Sequence, residues 1–169
     1  MQSLLVLVIA CGLNACLFKE PVFKEGFAKI DPGLAGVWAS EENDADPRKT
    51  EFAVCVPLDD DRVVLHHPSA EKDGIYYEAR MMKIRDHRLL QLRGLASFKD
   101  GIFNGDTERY TLLWIEKNED APTIRVRSLS SDAAKEKGPA EVKRLLEDPT
   151  TDWSKLFGDS TVFRRLKDN

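Results

Sequence analysis

The segment RYTLLWIE, residues 109–116, alternates two sets of apolar and aromatic side chains. One set, on one face of an extended strand, consists of Tyr110, Leu112 and Trp114. The set on the opposite face consists of Thr111, Leu113 and Ile115. Because successive side chains of a strand point to opposite sides of its sheet, a period of two predicts a β-strand here rather than a helix.

Short runs rich in Val, Ile, Tyr and Phe recur from residue 33 onward, with turn residues between them. The predicted strands are Leu34–Ser40, Lys49–Leu58, Arg62–His67, Ile75–Ile84, Leu89–Gly94, Tyr110–Glu116 and Thr123–Leu129. Connections such as LDDDR and IRDHR have the length of hairpin loops, which favours an antiparallel meander over a parallel sheet. The longest connection, Leu95 to Arg109, is predicted to be a mobile loop over one rim.

The chain after residue 129 has a helical character, over about residues 132–157. Gly138 is expected to end a first short helix and Pro139 to begin a second, which Pro149 ends. A capped turn, TDWSKLFGD, and a closing strand, STVFRRLK, are predicted to follow. The fold class is therefore mainly β: an antiparallel meander closing into a calycin-like barrel of about eight strands, with a C-terminal helix.

The first sixteen residues, MQSLLVLVIACGLNAC, contain no charged side chain. Their apolar run has the length of the h-region of a signal peptide, and it is shorter than the roughly 20 residues that span a bilayer. A small residue precedes each of the two cysteines. This arrangement resembles a bacterial lipoprotein signal, in which the cysteine after the small residue is lipidated and becomes the new N-terminus.

The resemblance implies a signal peptide over residues 1–15, a lipidated tether over residues 16–32 and the barrel domain over residues 33–169. Cys16 is the expected lipidation site because it leaves a signal of ordinary length. Cys11 is the alternative, because VIAC fits the lipoprotein pattern better than LNAC does. If Cys11 is the anchor, a Cys16–Cys55 disulfide becomes possible; otherwise Cys55 is read as a small buried thiol. The expected location is the bacterial cell envelope, with the domain in the periplasm or outside the cell.

The tripeptide Gly36-Val37-Trp38, at the start of the first strand and after a short extended leader, resembles the opening motif of the lipocalin and wider calycin barrels. In that family the tryptophan closes one end of the barrel, and an arginine from a late strand packs across it. The resemblance implies that Trp38 is the structural plug. Arg125 and Arg127 are the candidates for the stacking arginine.

A barrel of this size encloses either packed side chains or one small ligand. Tyr77, Met81, Leu112 and Trp114 are the residues predicted to line the interior and to contact a small apolar or amphipathic ligand. The alternative is an envelope protein-interaction or structural module, with a packed barrel and no small-molecule site.

No catalytic motif supports an enzyme. His66 and His67 are adjacent on a strand and point to opposite faces, so both cannot ligate one metal ion. Neither a Gly-x-Ser-x-Gly nor a Cys-x-x-Cys sequence is present. We therefore expect no catalytic residue, metal site or cofactor. The net charge of −4 argues against a nucleic-acid partner. The expected partners are the membrane, through the lipid anchor, and a small ligand or an envelope protein.

Overall fold

The computed structural model describes residues 18–41, 50–68, 74–99, 102–105, 109–118 and 121–166. The predicted signal peptide and both candidate lipidation sites, Cys16 and Cys11, lie outside these residues. The strands of the described part are β1 (Gly36–Ser40), β2 (Phe52–Pro57), β3 (Arg62–Pro68), β4 (Gly74–Ile84), β5 (His87–Lys99), β6 (Ile102–Gly105), β7 (Tyr110–Lys117), β8 (Thr123–Leu129) and β9 (Phe157–Arg165).

Eight of these strands close into an antiparallel barrel, which confirms the predicted fold class. The hydrogen-bonded order runs β1-β2-β3-β4-β5-β7-β8-β9, and β9 pairs with β1 to complete the circle. Closure gives each of the eight strands a partner on both sides and so removes exposed sheet edges. The predicted closing strand near the C-terminus is β9, with Phe163 buried inside the barrel.

The two ends of the barrel differ, and we name them by their connections. The lower rim carries the tight turns between β2 and β3 and between β4 and β5, together with a 3-10 turn at Pro32–Leu34. The upper rim is the end at which β7 begins, opposite Arg93 of β5. The loop predicted over Leu95–Arg109 is wrong in its first part, because β5 continues to Lys99 and pairs there with β6. Four residues, IFNG, are too few for a periodic signal to reveal a strand.

The barrel interior is filled by one cluster of apolar side chains. Val63, Tyr77, Ala79 and Leu92 are completely buried there. Cys55 lines the same space, and burial raises the pKa of its thiol to about 11. Cys55 is half-buried here, so the interpretation as a small buried thiol agrees in part.

A second apolar cluster lies outside the barrel wall, under helix α1 (Ser131–Glu147). Ser130 caps the helix by accepting a hydrogen bond from the amide of Ala133 at 3.1 Å. Gly138 interrupts it with a φ of 64°, as the sequence predicts, and Pro139 follows. The helical segment is shorter than the predicted 132–157, because after Glu147 only a 3-10 turn at Trp153–Lys155 remains helical. Val142 and Leu146 of the helix are fully buried against the wall.

Residues 18–30, which we call the N-terminal strap, pack against the barrel. The strap runs from the upper rim, where Phe18 pairs with Tyr110, down to the end of β4, where Ala28 pairs with Met81. Phe18, Val22 and Phe23 are buried in the second cluster. The predicted free tether is therefore wrong for the described part of residues 16–32. These apolar residues are unevenly spaced, so the sequence shows no period that would reveal a packed face. Within the described residues, no helix is both long and apolar enough to cross a membrane.

Candidate functional site: a basic groove on the outer wall

The four residues predicted to line the interior separate onto the two sides of the barrel wall. Tyr77 and Met81 of β4 point inward and belong to the interior cluster. Leu112 and Trp114 of β7 belong to the outer cluster, so their assignment to the interior is wrong. Both faces of β7 are apolar because both are covered, and a period of two then cannot tell the inner face from the outer one.

The interior contains a small cavity with a volume of about 50 Å³. Its lining is apolar, and it includes Trp38, Cys55 and Phe163. Ligand pockets for small molecules usually measure roughly 300–1,000 Å³, so this space is several-fold too small for such a ligand. Its lining also includes His67, and the space is best described as a packing gap of the core.

Trp38 lies at the lower rim, as the calycin resemblance implies, but neither of the two arginines expected to pack across it does so. Its indole Nε1–H donates a hydrogen bond to the carbonyl of Leu34 at 3.0 Å, and only 4% of the residue is exposed. The guanidinium of Arg127 lies 5.4 Å from the ring of Trp114 instead, directly across the β7–β8 pair. Arg125 points to solvent beside Glu116. Both arginines stand on the outer face of β8, so the barrel wall separates them from Trp38.

A larger space lies outside the barrel, between the N-terminal strap and the outer faces of β3, β4 and β5. We call it the basic groove, and its volume is about 400 Å³. Its lining combines aromatic rings with charged and amide groups: Pro21, Phe23, Lys24, Phe27, Arg62, Glu78, Arg80, Gln91, Arg93 and Tyr110. The strap forms one wall, and the barrel strands form the floor.

Three arginines stand on the floor of the groove, and two of them flank the carboxylate of Glu78. Glu78 lies 3.3 Å from Arg93 and 3.6 Å from Arg62, measured between its Oε2 and a guanidinium nitrogen. Arg80 forms an ion pair with Asp61 at the groove's edge. Asp59 also pairs with Arg62, and this contact lowers the pKa of the Asp59 carboxyl to about 2. These carboxylates fix the orientation of the guanidinium groups without covering them.

The groove also brings aromatic faces and donor groups together. The guanidinium of Arg80 lies 3.7 Å from the centre of the Phe27 ring, a cation–π contact between floor and strap. The Nε–H groups of Arg80 and Arg93 are buried and have no hydrogen-bond acceptor among the described residues. The side chains of Arg62, Arg80 and Arg93 are half-exposed, so an acceptor in the groove can meet the outer nitrogens of their guanidinium groups. The groove can therefore hold an anionic group beside an apolar one.

The sequence gives little sign of this groove. Tyr76, Glu78 and Arg80 alternate along β4 with the inward-facing residues Tyr77 and Ala79. What brings the arginines together is the strand register: Arg62 lies opposite Arg80, and Glu78 lies opposite Arg93. These pairings join positions far apart in the chain, and the strap that closes the groove was not predicted to pack at all.

The three histidines lie at separate places. The His66 ring stacks on Tyr76 at 4.1 Å on the outer face, whereas His67 lines the interior cavity. Their opposite directions agree with the predicted strand geometry. His87 packs between Trp114 and Trp153. Among the described residues, no three His, Cys, Asp or Glu side chains are grouped closely enough to hold a metal ion.

Comparison with models of known protein families, with curated proteins and with solved structures finds no match for this chain. The closed barrel of eight antiparallel strands, with a 3-10 turn and Trp38 at one end, is consistent with a calycin-like fold on geometry.

Proposed function

We propose that the protein is a lipid-anchored protein of the bacterial cell envelope that binds an amphipathic anion in the basic groove. The observation that carries the proposal is the 400 Å³ groove, in which guanidinium groups and aromatic rings lie side by side. That volume falls within the usual range for small-molecule sites, roughly 300–1,000 Å³, and the interior cavity does not. The ligand is thus of the predicted amphipathic kind, but its site is the outer wall.

The charges of the groove favour an anion over a cation by a small excess. Lys24, Arg62, Arg80 and Arg93 contribute four positive charges to the lining, against three negative charges from Glu78 and from Asp59 and Asp61 at the edge. A carboxylate or phosphate head accepts paired hydrogen bonds from guanidinium groups, which gives such contacts both strength and orientation. The apolar part of the ligand would lie along the rings of the strap.

The anchoring part of the proposal is supported by the sequence alone. An uncharged apolar run followed by a small residue and Cys16 is typical of lipoprotein signals. Mass spectrometry of the mature protein tests it: we expect an N-terminal Cys16 that carries a diacylglyceryl group. A lipidated Cys11 would move the anchor to the alternative site, and an unmodified N-terminus would contradict the anchor altogether.

Titration calorimetry with decanoate tests the ligand class. We expect saturable binding of decanoate, and no saturable binding of decanol or of decyltrimethylammonium. Arg93→Met should weaken decanoate binding about tenfold, because a charge-assisted hydrogen bond contributes about 1.5–3 kcal/mol. Arg125→Met is the matched control, since this arginine is exposed on the opposite part of the wall and should leave affinity unchanged.

A second variant separates the groove from the interior. Ala53→Val adds two methyl groups to the lining of the interior cavity and leaves the groove untouched. We expect unchanged decanoate affinity in this variant. Loss of binding in Ala53→Val but not in Arg93→Met would place the ligand inside the barrel. Absence of saturable decanoate binding to the unaltered protein would contradict the ligand class and favour the interaction module.

A further inference from the structure

We propose that the β5–β6 hairpin at the upper rim dips into the interface of the lipid bilayer and orients the barrel on the membrane. The inference rests on the proposed anchor at Cys16. It concerns a surface separate from the basic groove, and it names the membrane itself, rather than a soluble protein, as what that surface contacts.

The hairpin carries three of the seven exposed large apolar side chains of the described residues. Phe98 on β5 is 38% exposed, and Ile102 and Phe103 on β6 are 61% and 65% exposed. Phe98 and Phe103 are direct cross-strand partners, so they form one patch. Exposed large apolar groups clustered at one projecting point are typical of contact sites, whereas single ones scattered over a surface are not.

The hairpin stands beyond the start of β7 on the side of the upper rim where Pro68 of β3 and Gly74 of β4 reach the level of Phe98. Strand β7 begins at Tyr110, opposite Arg93, while β5 continues to Lys99. Phe98 is five residues beyond Arg93, which corresponds to roughly 16 Å of extended strand. The tip therefore stands farther out than the start of β7.

The N-terminus leaves the barrel at the same rim. Phe18 and Tyr110 exchange two backbone hydrogen bonds, of 3.0 and 2.9 Å, and this bridge fixes the chain at the level of Arg93. Cys16 precedes Phe18 by two residues, so their Cα atoms are at most about 7 Å apart. A lipid attached at Cys16 therefore enters the bilayer close to the upper rim. A lipid at Cys11, seven residues before Phe18, would allow a distance of up to about 25 Å between the lipidated residue and the rim.

The patch suits the bilayer interface in depth and chemistry. The outer edge of β6 has no further strand beside it among the described residues, and unpaired backbone groups are excluded from the hydrocarbon core. Only the side chains of Ile102 and Phe103 would enter the boundary between headgroups and acyl chains. In the sequence Asp100 and Asp106 flank these residues, so insertion should depend little on anionic lipid.

The test places an environment-sensitive fluorophore on the full, lipidated chain in phosphatidylcholine vesicles that contain nitroxide-labelled lipid. Asn104→Cys carries the label on the hairpin, and Val56→Cys carries it at an exposed position near the lower rim. The thiol of Cys55 should stay unlabelled, since burial raises its pKa to about 11. We expect at least about threefold stronger quenching at Asn104 than at Val56, as for a side chain at interfacial depth.

The chemistry of the patch is tested by Ile102→Ser with Phe103→Ser in the Asn104→Cys chain. We expect this variant to lose the quenching while the lipid still holds the protein on the vesicles. Equal quenching at Asn104 and Val56 would overturn the proposal. So would a label at Asn104 that becomes shielded without vesicles as protein concentration rises, which would identify a second copy of the chain as the partner.

The proposed anchor and the proposed membrane contact of the hairpin can be contradicted separately. The mass of the mature N-terminus reports the anchor on its own. If that mass shows no lipid, the Asn104→Cys chain is labelled after Cys11→Ser and Cys16→Ser have removed the other reactive thiols, and it is mixed with vesicles directly. Quenching at Asn104 would then support the hairpin as a membrane contact without the anchor, and its absence would overturn the hairpin as well.

Discussion

The side-chain amide of Gln91 holds both hydrogen-bonding groups of the Phe23 backbone. Its Oε1 accepts from the Phe23 N–H at 2.8 Å, and its Nε2 donates to the Phe23 carbonyl at 2.9 Å. The glutamine is on the outer face of β5 and is only 5% exposed. Because the contact is buried and two-sided, it fixes the N-terminal strap on the barrel and with it one wall of the basic groove.

Replacement of this glutamine should loosen the strap. Gln91→Leu removes the partners of two buried backbone groups, and each unsatisfied group costs about 1–3 kcal/mol. We expect the free energy of unfolding in urea to fall by about 2 kcal/mol or more. Trypsin should also cut the exposed bond after Lys24 faster than in the unaltered chain.

Thr150→Val is the control for that variant. The hydroxyl of Thr150 donates to Asp148 on the surface, where water replaces a lost partner. We expect little change in stability and no change in cleavage after Lys24. Equal cleavage of Gln91→Leu and the unaltered chain would show that the amide does not hold the strap.

The strand pattern could be predicted from the sequence, and the side of the wall that each strand presents could be predicted only in part. On β8 the alternation of Ile124 and Val126 with arginines gives the correct inward face. On β7 the choice of Leu112 and Trp114 was wrong, because helix α1 and the strap cover the outer face as well. The basic groove depends on strand register and on a contact across 68 residues, and neither leaves a local pattern.

The glycine of the Gly36-Val37-Trp38 motif has a backbone requirement that can be tested. Gly36 has a φ of 129°, and a Cβ there would lie 3.0 Å from Nε of Arg165. Gly36→Ala is therefore strained even if the arginine moves, and we expect a loss of about 1–3 kcal/mol in the free energy of unfolding. Gly105→Ala is the control, because its added Cβ meets nothing closer than 4.0 Å. A loss of equal size in both variants would show that the backbone at Gly36 is not special.

The interactions of the Asp31 carboxylate at the lower rim should weaken in acid. Asp31 caps the 3-10 turn through the amide of Gly33, and Lys117 and Arg88 each lie 3.3 Å from its carboxylate. The Gly33 amide and these two cations lower the pKa of the Asp31 carboxyl below its usual 3.8. A lowered pKa stabilises the fold above pH 3.8, and this contribution is lost as the pH falls through the folded-state value.

Asp31→Asn tests the ion pairs of Asp31, because the amide oxygen of asparagine still caps Gly33 while the negative charge is gone. We expect the unaltered protein to be more stable by about 1 kcal/mol at neutral pH, the size of a partly exposed ion-pair network. Urea unfolding at a series of pH values should show this difference shrink as the pH falls below 3.8. A difference that stays constant with pH would mean that the charge contributes nothing.

The thiol of Cys55 should react slowly in the folded protein. Burial raises its pKa from 9.0 to about 11, so at a given pH below 9 the thiolate is about one-hundredth as abundant as in an exposed cysteine. We expect an aromatic disulfide reagent to modify it slowly at neutral pH, faster as the pH approaches 11, and at once after unfolding. Because the folded-state pKa is the higher one, the thiol's contribution to stability is lost as the pH rises from 9.0 through 11.

Cys55→Ala is the control, since it removes this pH-dependent contribution and any reaction at position 55. The same experiment tests the Cys16–Cys55 disulfide that the alternative anchor at Cys11 would allow. If Cys11 were lipidated and Cys16 were joined to Cys55, the unfolded chain would stay unreactive at Cys55 until a reductant was added. Reaction after unfolding without reductant therefore excludes that disulfide, and it is the result we expect from a free thiol enclosed by the barrel.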